Sequence, residues 1–170
     1  GIVAADITDR KEAEEKLISS ELLFRGLSEN APVAIFQTDK KGSCNYVNEQ
    51  WIKYSGISFN EALGFGWSKA LHPDDREKVL EIWNKALFTG TGYIKDLRFL
   101  DKKGKTTWLS AKAAGLYDAN NELSGYIGTL LDITERKESE VEIIKNKKYL
   151  DNIINSIGDP VFVKDDQSRL

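Results

Sequence analysis

The sequence has no methionine, one cysteine, one histidine and three prolines. Each scarcity excludes something. With Cys44 alone there is no internal disulfide, so nothing calls for an oxidising compartment. A zinc site of cysteine and histidine alone needs about four ligands; Cys44 and His72 are the whole supply. No metal site is therefore expected. A Ser-His-Asp or Cys-His catalytic set would have to use His72. That residue stands directly before Pro73 at a predicted helix start, which is the place of a capping side chain. Three prolines exclude proline-rich or collagen-like character. Long apolar runs are missing too. The uncharged run from Leu123 to Leu131 is far short of the roughly 20 residues of a membrane span. The absent methionine is what a piece of a longer protein would show.

What is present suits a packed domain. The 170 residues are 41% hydrophobic and 10% aromatic, which excludes a disordered chain. The length allows one domain of about 100–150 residues with additions. Twenty-four basic against 27 acidic residues leave a net charge of −3. That balance carries no footprint for nucleic acid or an anionic membrane.

The chain repeats itself. Asp6-Ile7-Thr8-Asp9-Arg10-Lys11-Glu12 returns as Asp132-Ile133-Thr134-Glu135-Arg136-Lys137-Glu138, and positions 6 and 132 differ by 126. Ile35-Phe36-Gln37-Thr38-Asp39 returns with the same offset as Val161-Phe162-Val163-Lys164-Asp165. Two matches at one offset imply the end of one unit, a whole second unit and the start of a third.

Between the echoes, a helix is expected from Thr8, as N-cap, to about Leu27, before Pro32. Ile35–Asp39 and Ser43–Asn48 read as paired strands around the turn Asp39-Lys40-Lys41-Gly42. Short helices follow over Glu49–Tyr54 and Asn60–Leu63. His72-Pro73-Asp74-Asp75 opens the longest central helix, which ends near Thr89-Gly90. Three strands come next, about Tyr93–Leu100, Thr106–Tyr117 and Leu123–Ile133. Their turns are Asp101-Lys102-Lys103-Gly104 and Asp118-Ala119-Asn120-Asn121. A last helix begins after Thr134 and runs to about Asn155. Strands grouped apart from helices predict an α+β class with an antiparallel sheet.

Several runs carry a family resemblance. They are Trp67 with Leu71-His72-Pro73-Asp74-Asp75-Arg76, then Asp96-Leu97-Arg98 and Thr107-Trp108-Leu109. Gly125-Tyr126-Ile127-Gly128-Thr129 and Asp132-Ile133-Thr134-Glu135-Arg136-Lys137 complete the series. In order and spacing the chain resembles the PAS sensory domains, from about Glu21 to Lys137. The resemblance implies a five-stranded antiparallel sheet of order 2-1-5-4-3, with helices on one face and linker helices at both ends. The expected organisation is an upstream unit's end and linker helix over 1–20 and a complete PAS domain over 21–137. A C-terminal linker helix over 138–156 and the start of a downstream PAS unit over 157–170 follow. The resemblance also implies a parent signalling chain, most often a sensor histidine kinase, with a cyclic-dinucleotide enzyme as the alternative. Its partners would be neighbouring PAS units and a distal output domain. The module is expected in the cytoplasm, whatever attachment its parent has elsewhere.

No catalytic residue is assigned within the chain. Gly104-Lys105-Thr106 looks like the end of a phosphate loop, but position 99 is Phe where that loop needs Gly. Asp74 and Asp75 are adjacent rather than convergent, and a helix N-terminus explains them. Neither linker helix has a histidine to accept phosphate. Flavin-binding PAS members use a cysteine on a central helix, whereas Cys44 falls on a predicted strand. Haem-binding members use a histidine inside the long helix, whereas His72 precedes it. No haem or covalent flavin is expected. A small organic ligand between sheet and helices is the cofactor class left open, and Trp51, Trp67, Trp83 and Trp108 are the candidate lining. Ordinary core packing is the alternative for each.

Asp132, Ile133 and Thr134 are the candidate coupling residues, because a strand ends where a capped helix begins. Ala13, Leu17, Ser20, Phe24 and Leu27 follow a 4-3-4-3 spacing, and adding 126 gives Ser139, Ile143, Asn146, Leu150 and Ile153. Since 126 is 18 × 7, the heptad phase is kept. Leu17, Phe24, Leu27, Ile143, Leu150 and Ile153 therefore form the expected dimer seam, weakened at Ser20 and Asn146. The competing function is a ligand-free scaffold that only spaces neighbouring units.

Overall fold

The computed structural model describes residues 2–90 and 92–156, without the side chains of residues 2–8, 93 and 94. The echo at Val161–Asp165, and the expectation that Asp159–Leu170 is disordered or borrows a sheet edge, lie outside the described residues. The chain divides into two compact units, Gly1–Ile133 and Thr134–Leu170.

In the first unit, α1 (Ile2–Glu29) leads into β1 (Ala34–Asp39) and β2 (Cys44–Val47). Then come α2 (Glu49–Ser55), α3 (Phe59–Ala62), a 3-10 helix (Gly66–Ala70) and α4 (Pro73–Thr89). β3 (Tyr93–Leu100), β4 (Thr106–Tyr117) and β5 (Leu123–Asp132) complete it. The sheet is antiparallel throughout, in the order β2-β1-β5-β4-β3. The second unit holds α5 (Thr134–Ser156).

Three hairpin turns share one local device. Asp39 Oδ1 accepts from the amides of Lys41 and Ser43, each within 2.9 Å. Asp101 Oδ1 does the same for Lys103 and Lys105, and Asp118 Oδ1 for Asn120 and Glu122. The fourth residue of each turn has positive φ: Gly42 at 82°, Gly104 at 83° and Asn121 at 61°. An aspartate that holds its own turn, followed by a residue tolerant of left-handed backbone, closes each strand pair locally.

α4 begins as its first residues require. Pro73 is pre-organised for the first turn, and His72 Nδ1 accepts from the Asp74 amide at 3.3 Å. His72 thus caps α4 directly. The reading of Thr8 as an N-cap is corrected, because α1 is continuous from Ile2. Asp6-Ile7-Thr8 copies a strand end, yet a strand needs a neighbour. Asp132 pairs with Leu109 and the Ile133 amide donates to Trp108 O at 2.9 Å. Residues 2–8 pair with no strand among the described residues, and the helix extends through them.

The core lies between the inner sheet face and α2 and α4. Trp51 of α2 meets Phe99 of β3 edge to face at 5.5 Å, and Trp83 of α4 meets Tyr126 of β5 at 5.5 Å. Tyr126 and Leu109 are fully buried.

Candidate functional site

The helices do not quite fill the space over the sheet. A cavity of about 50 Å³ remains. All five strands contribute to its wall, from Phe36 and Thr38 on β1 to Leu130 on β5. Trp51, Trp67, Val79 and Trp83 close it from the helical side. Three of the four candidate tryptophans therefore meet around one space. Trp108 does not. Its neighbour Leu109 points inward, so Trp108 faces the other side of the sheet, where the Arg98 guanidinium lies 5.2 Å from its ring centre. The expectation that Trp108 lines the pocket is corrected on that geometry.

The wall is almost wholly apolar. Thr38 Oγ1 donates to Asp39 O at 3.0 Å, and Cys44 Sγ donates weakly to Tyr46 O at 3.6 Å. Burial pushes the Cys44 thiol up to about 11, so it stays neutral and unreactive near pH 7. The Trp67 indole differs. Trp67 Nε1 is buried and has no hydrogen-bond partner among the described residues. Buried N–H groups are ordinarily paired.

Gly128 shapes the sheet side of this space. A Cβ there would overlap the Phe36 ring and stand 2.7 Å from Lys112 O. Only a bare backbone lets the Phe36 ring lie across β5 toward Trp83, whose ring centre is 6.2 Å away.

Two polar clusters hold the walls. Asn48, wholly buried, ties three segments together. Its Oδ1 accepts from the amides of Ile35 at 2.9 Å and Trp51 at 3.1 Å. Its Nδ2 donates to Ser28 O at 2.7 Å and Val33 O at 3.0 Å. The end of α1, the start of β1 and the first turn of α2 are thus fixed by one side chain. Nearby, Ser28 Oγ and Tyr46 Oη share a hydrogen bond of 2.7 Å, and Phe24 packs on the Tyr46 ring at 5.5 Å.

Asp75 forms the second cluster. Its carboxylate accepts from the Arg98 amide at 3.1 Å, Nε at 2.9 Å and Nη2 at 2.7 Å. Those Arg98 hydrogen bonds hold the Asp75 carboxyl below its ordinary range. The His72 amide donates to Arg98 O at 2.8 Å, so the start of α4 is clamped to the edge strand β3. Sequence reading had assigned Asp75 only to the helix dipole. The Asp-x-Arg spacing of β3 was the available signal for its partner. Asn48 was missed altogether, although Asn before Glu49 is an N-cap signal.

The candidate coupling residues Asp132, Ile133 and Thr134 lie where β5 stops. Ile133 is buried, and the boundary between the two compact units falls after it. α5 starts at Thr134. On the linker helices Leu17, Leu27, Ile143 and Leu150 are each more than half exposed within their own unit. Phe24 is more covered, because of Tyr46, and Ile153 is half-buried. Ile18, Leu22 and Leu23 of α1 are exposed as well, so its apolar surface is wider than one heptad stripe.

The cavity of about 50 Å³ is small beside ligand sites, which run to about 300–1,000 Å³. His72 is occupied as the cap of α4 and does not line the cavity. No helix among the described residues is long and apolar enough to cross a membrane. No cluster of metal-ligating side chains occurs among them either.

Comparison with known proteins places this geometry. A family model described as the PAS fold matches residues 45–130. Sporulation kinase C of Bacillus subtilis is 30% identical over 163 residues, covering 88% of this chain and 36% of that protein. The virulence sensor protein BvgS of Bordetella bronchiseptica is 28% identical, covering 85% of this chain and 12% of its own length. The chain thus spans well under half of these curated relatives. A PAS domain from Colwellia psychrerythraea superposes with a TM-score of 0.57 at 22% identity, over 70% of this chain and 98% of that one. A sensory box histidine kinase/response regulator from Burkholderia thailandensis gives 0.57 at 22% identity, over 76% and 98%. At that identity the structural likeness bears on the fold.

Proposed function

Because the chain belongs to the PAS fold family, we propose that it is a sensory and dimerisation module of a histidine-kinase signalling protein. It takes its signal in the cavity and passes it to a distal output domain through α5. It sits in the cytoplasm among neighbouring PAS units and has no catalytic role of its own. The observation that carries this reading is the position of Leu130. It lines the cavity, pairs with Ala111 of β4, and lies on the strand that ends at Asp132. A change in cavity filling would move β5. It would reach Ile133, which is held to Trp108 O, and so the first residue of α5. Kinase relatives such as sporulation kinase C support the output side. The ligand-free scaffold is the second reading, favoured by how far aromatic rings fill the interior.

Thr134, the first residue of α5, tests the coupling through the capping role proposed here for its hydroxyl. Thr134→Val is expected to weaken the first turn by about 1 kcal/mol while unit Gly1–Ile133 stays folded. Amide exchange over residues 134–140 should quicken, and phosphorylation by the full signalling chain should lose its response. An unaltered response would remove the coupling role.

The seam residues belong to the same proposal. Their exposed apolar side chains suit a second copy in register, with Ser20 and Asn146 keeping the association weak enough to switch. Sedimentation should find a concentration-dependent dimer that Ile143→Lys with Leu150→Lys dissociates. A monomer at high concentration would overturn the seam.

A further inference from the structure

Resting on the sensing role of the cavity, we infer the class of molecule it takes: small, neutral, mostly apolar, with one acceptor atom for the Trp67 Nε1–H. Three observations carry this. The first is size. A space of about 50 Å³ holds some four water-sized units, at about 10–15 Å³ each. The second is the wall. No charged side chain lines it, so an ion entering would lose its hydration without a counter-charge. Thr38 has already directed its hydrogen to Asp39 O, and the Cys44 thiol is directed to Tyr46 O. The third is Trp67 itself. It lines the cavity with a buried N–H that meets no acceptor among the described residues.

These observations act together. An apolar cavity alone would accept any small hydrophobe. A buried donor without a partner makes the difference, because filling the space with pure hydrocarbon leaves that donor unsatisfied. A carbonyl, ether or thioether of the same size satisfies it and still meets apolar walls elsewhere. Trp67 is half-buried on the short 3-10 helix, so the site has one wall at the surface through which such a molecule can enter.

Acetone and 2-methylpropene, matched in shape and differing in the acceptor, test this on the intact chain. Nuclear magnetic resonance reads the Trp67 indole N–H, assigned by its loss in Trp67→Phe. Acetone should shift that signal saturably and bind about five-fold more tightly than 2-methylpropene. In Trp67→Phe the preference should vanish. Equal or tighter binding of 2-methylpropene by the unaltered chain would overturn the inference. So would the absence of saturation with both probes, or saturable binding of flavin mononucleotide. The affinity comparison of the two probes on the unaltered chain stands whether or not the variant folds. The sensing role is judged separately. It fails if acetone saturates the cavity while amide exchange over residues 134–156 stays unchanged, an outcome in which the ligand class still stands.

Discussion

Asn48→Ala is expected to lower the unfolding free energy by roughly 3–5 kcal/mol, the largest effect of any single polar substitution considered. The side chain satisfies two amides and two carbonyls and is itself 0% exposed. Alanine leaves those groups without their partner and also removes the cap of α2. Each buried group left unsatisfied costs about 1–3 kcal/mol. Water entering the vacated volume recovers part of that, which keeps the total below the sum. Domains of this kind have about 5–15 kcal/mol to lose. Urea denaturation should show the midpoint falling sharply. Asn48→Asp keeps the acceptor and loses the donors to Ser28 O and Val33 O, so it should recover only part of the loss. A midpoint within error of the native chain would show that the four contacts are replaceable.

Asp75→Asn should cost about 2–3 kcal/mol, and it should flatten the acid limb of the stability curve. The carboxylate takes three hydrogen bonds from Arg98 and stands in the first turn of α4. Both side chains are 24% exposed, so solvent screening removes part of the Coulomb attraction but not the bidentate geometry. The sign of the pH effect follows from the direction of the shift. In the folded chain the Asp75 carboxyl titrates below its ordinary value of 3.8, because Arg98 binds the charged form. Protons therefore favour the unfolded chain. The contribution is complete above pH 3.8 and is lost as pH falls from there through the lower folded value. The gap between the thermal melts of the native chain and Asp75→Asn should begin to narrow as pH falls below 3.8 toward pH 3. Parallel curves down to pH 3 would mean that the pair contributes no charge-dependent stability.

These two clusters mark where sequence reading stopped. The hairpin turns at Asp39, Asp101 and Asp118 were legible because each is closed by hydrogen bonds within four residues. The start of α4 at His72-Pro73 was legible for the same reason. The sheet order came only with the family resemblance, since nothing within a strand names its neighbour. Asn48 escaped notice because its carbonyl partners, Ser28 and Val33, lie 20 and 15 positions away. Asp75 and Arg98 are 23 positions apart. The four tryptophans show the same limit. Trp108 and Leu109 are both apolar, so strand alternation separates them without saying which faces the core.

The sequence by itself determined the turns, the approximate helix and strand spans from β1 onward except the 3-10 helix Gly66–Ala70, the scarcity of catalytic side chains and the heptad phase of the linkers. All of these depend on spacing and on bonds between near neighbours. Tertiary structure decided that Trp51, Trp67 and Trp83 share a cavity while Trp108 lies under Arg98 on the other face. It decided that Asp6-Ile7-Thr8 continues a helix where its copy at Asp132-Ile133 is held by β4. It also decided how small the cavity is, through Gly128 and the Phe36 ring. The physical reason is common to all three. A side chain's face, a strand's partner and an unfilled volume are set by groups distant in sequence, and only the folded chain brings them together.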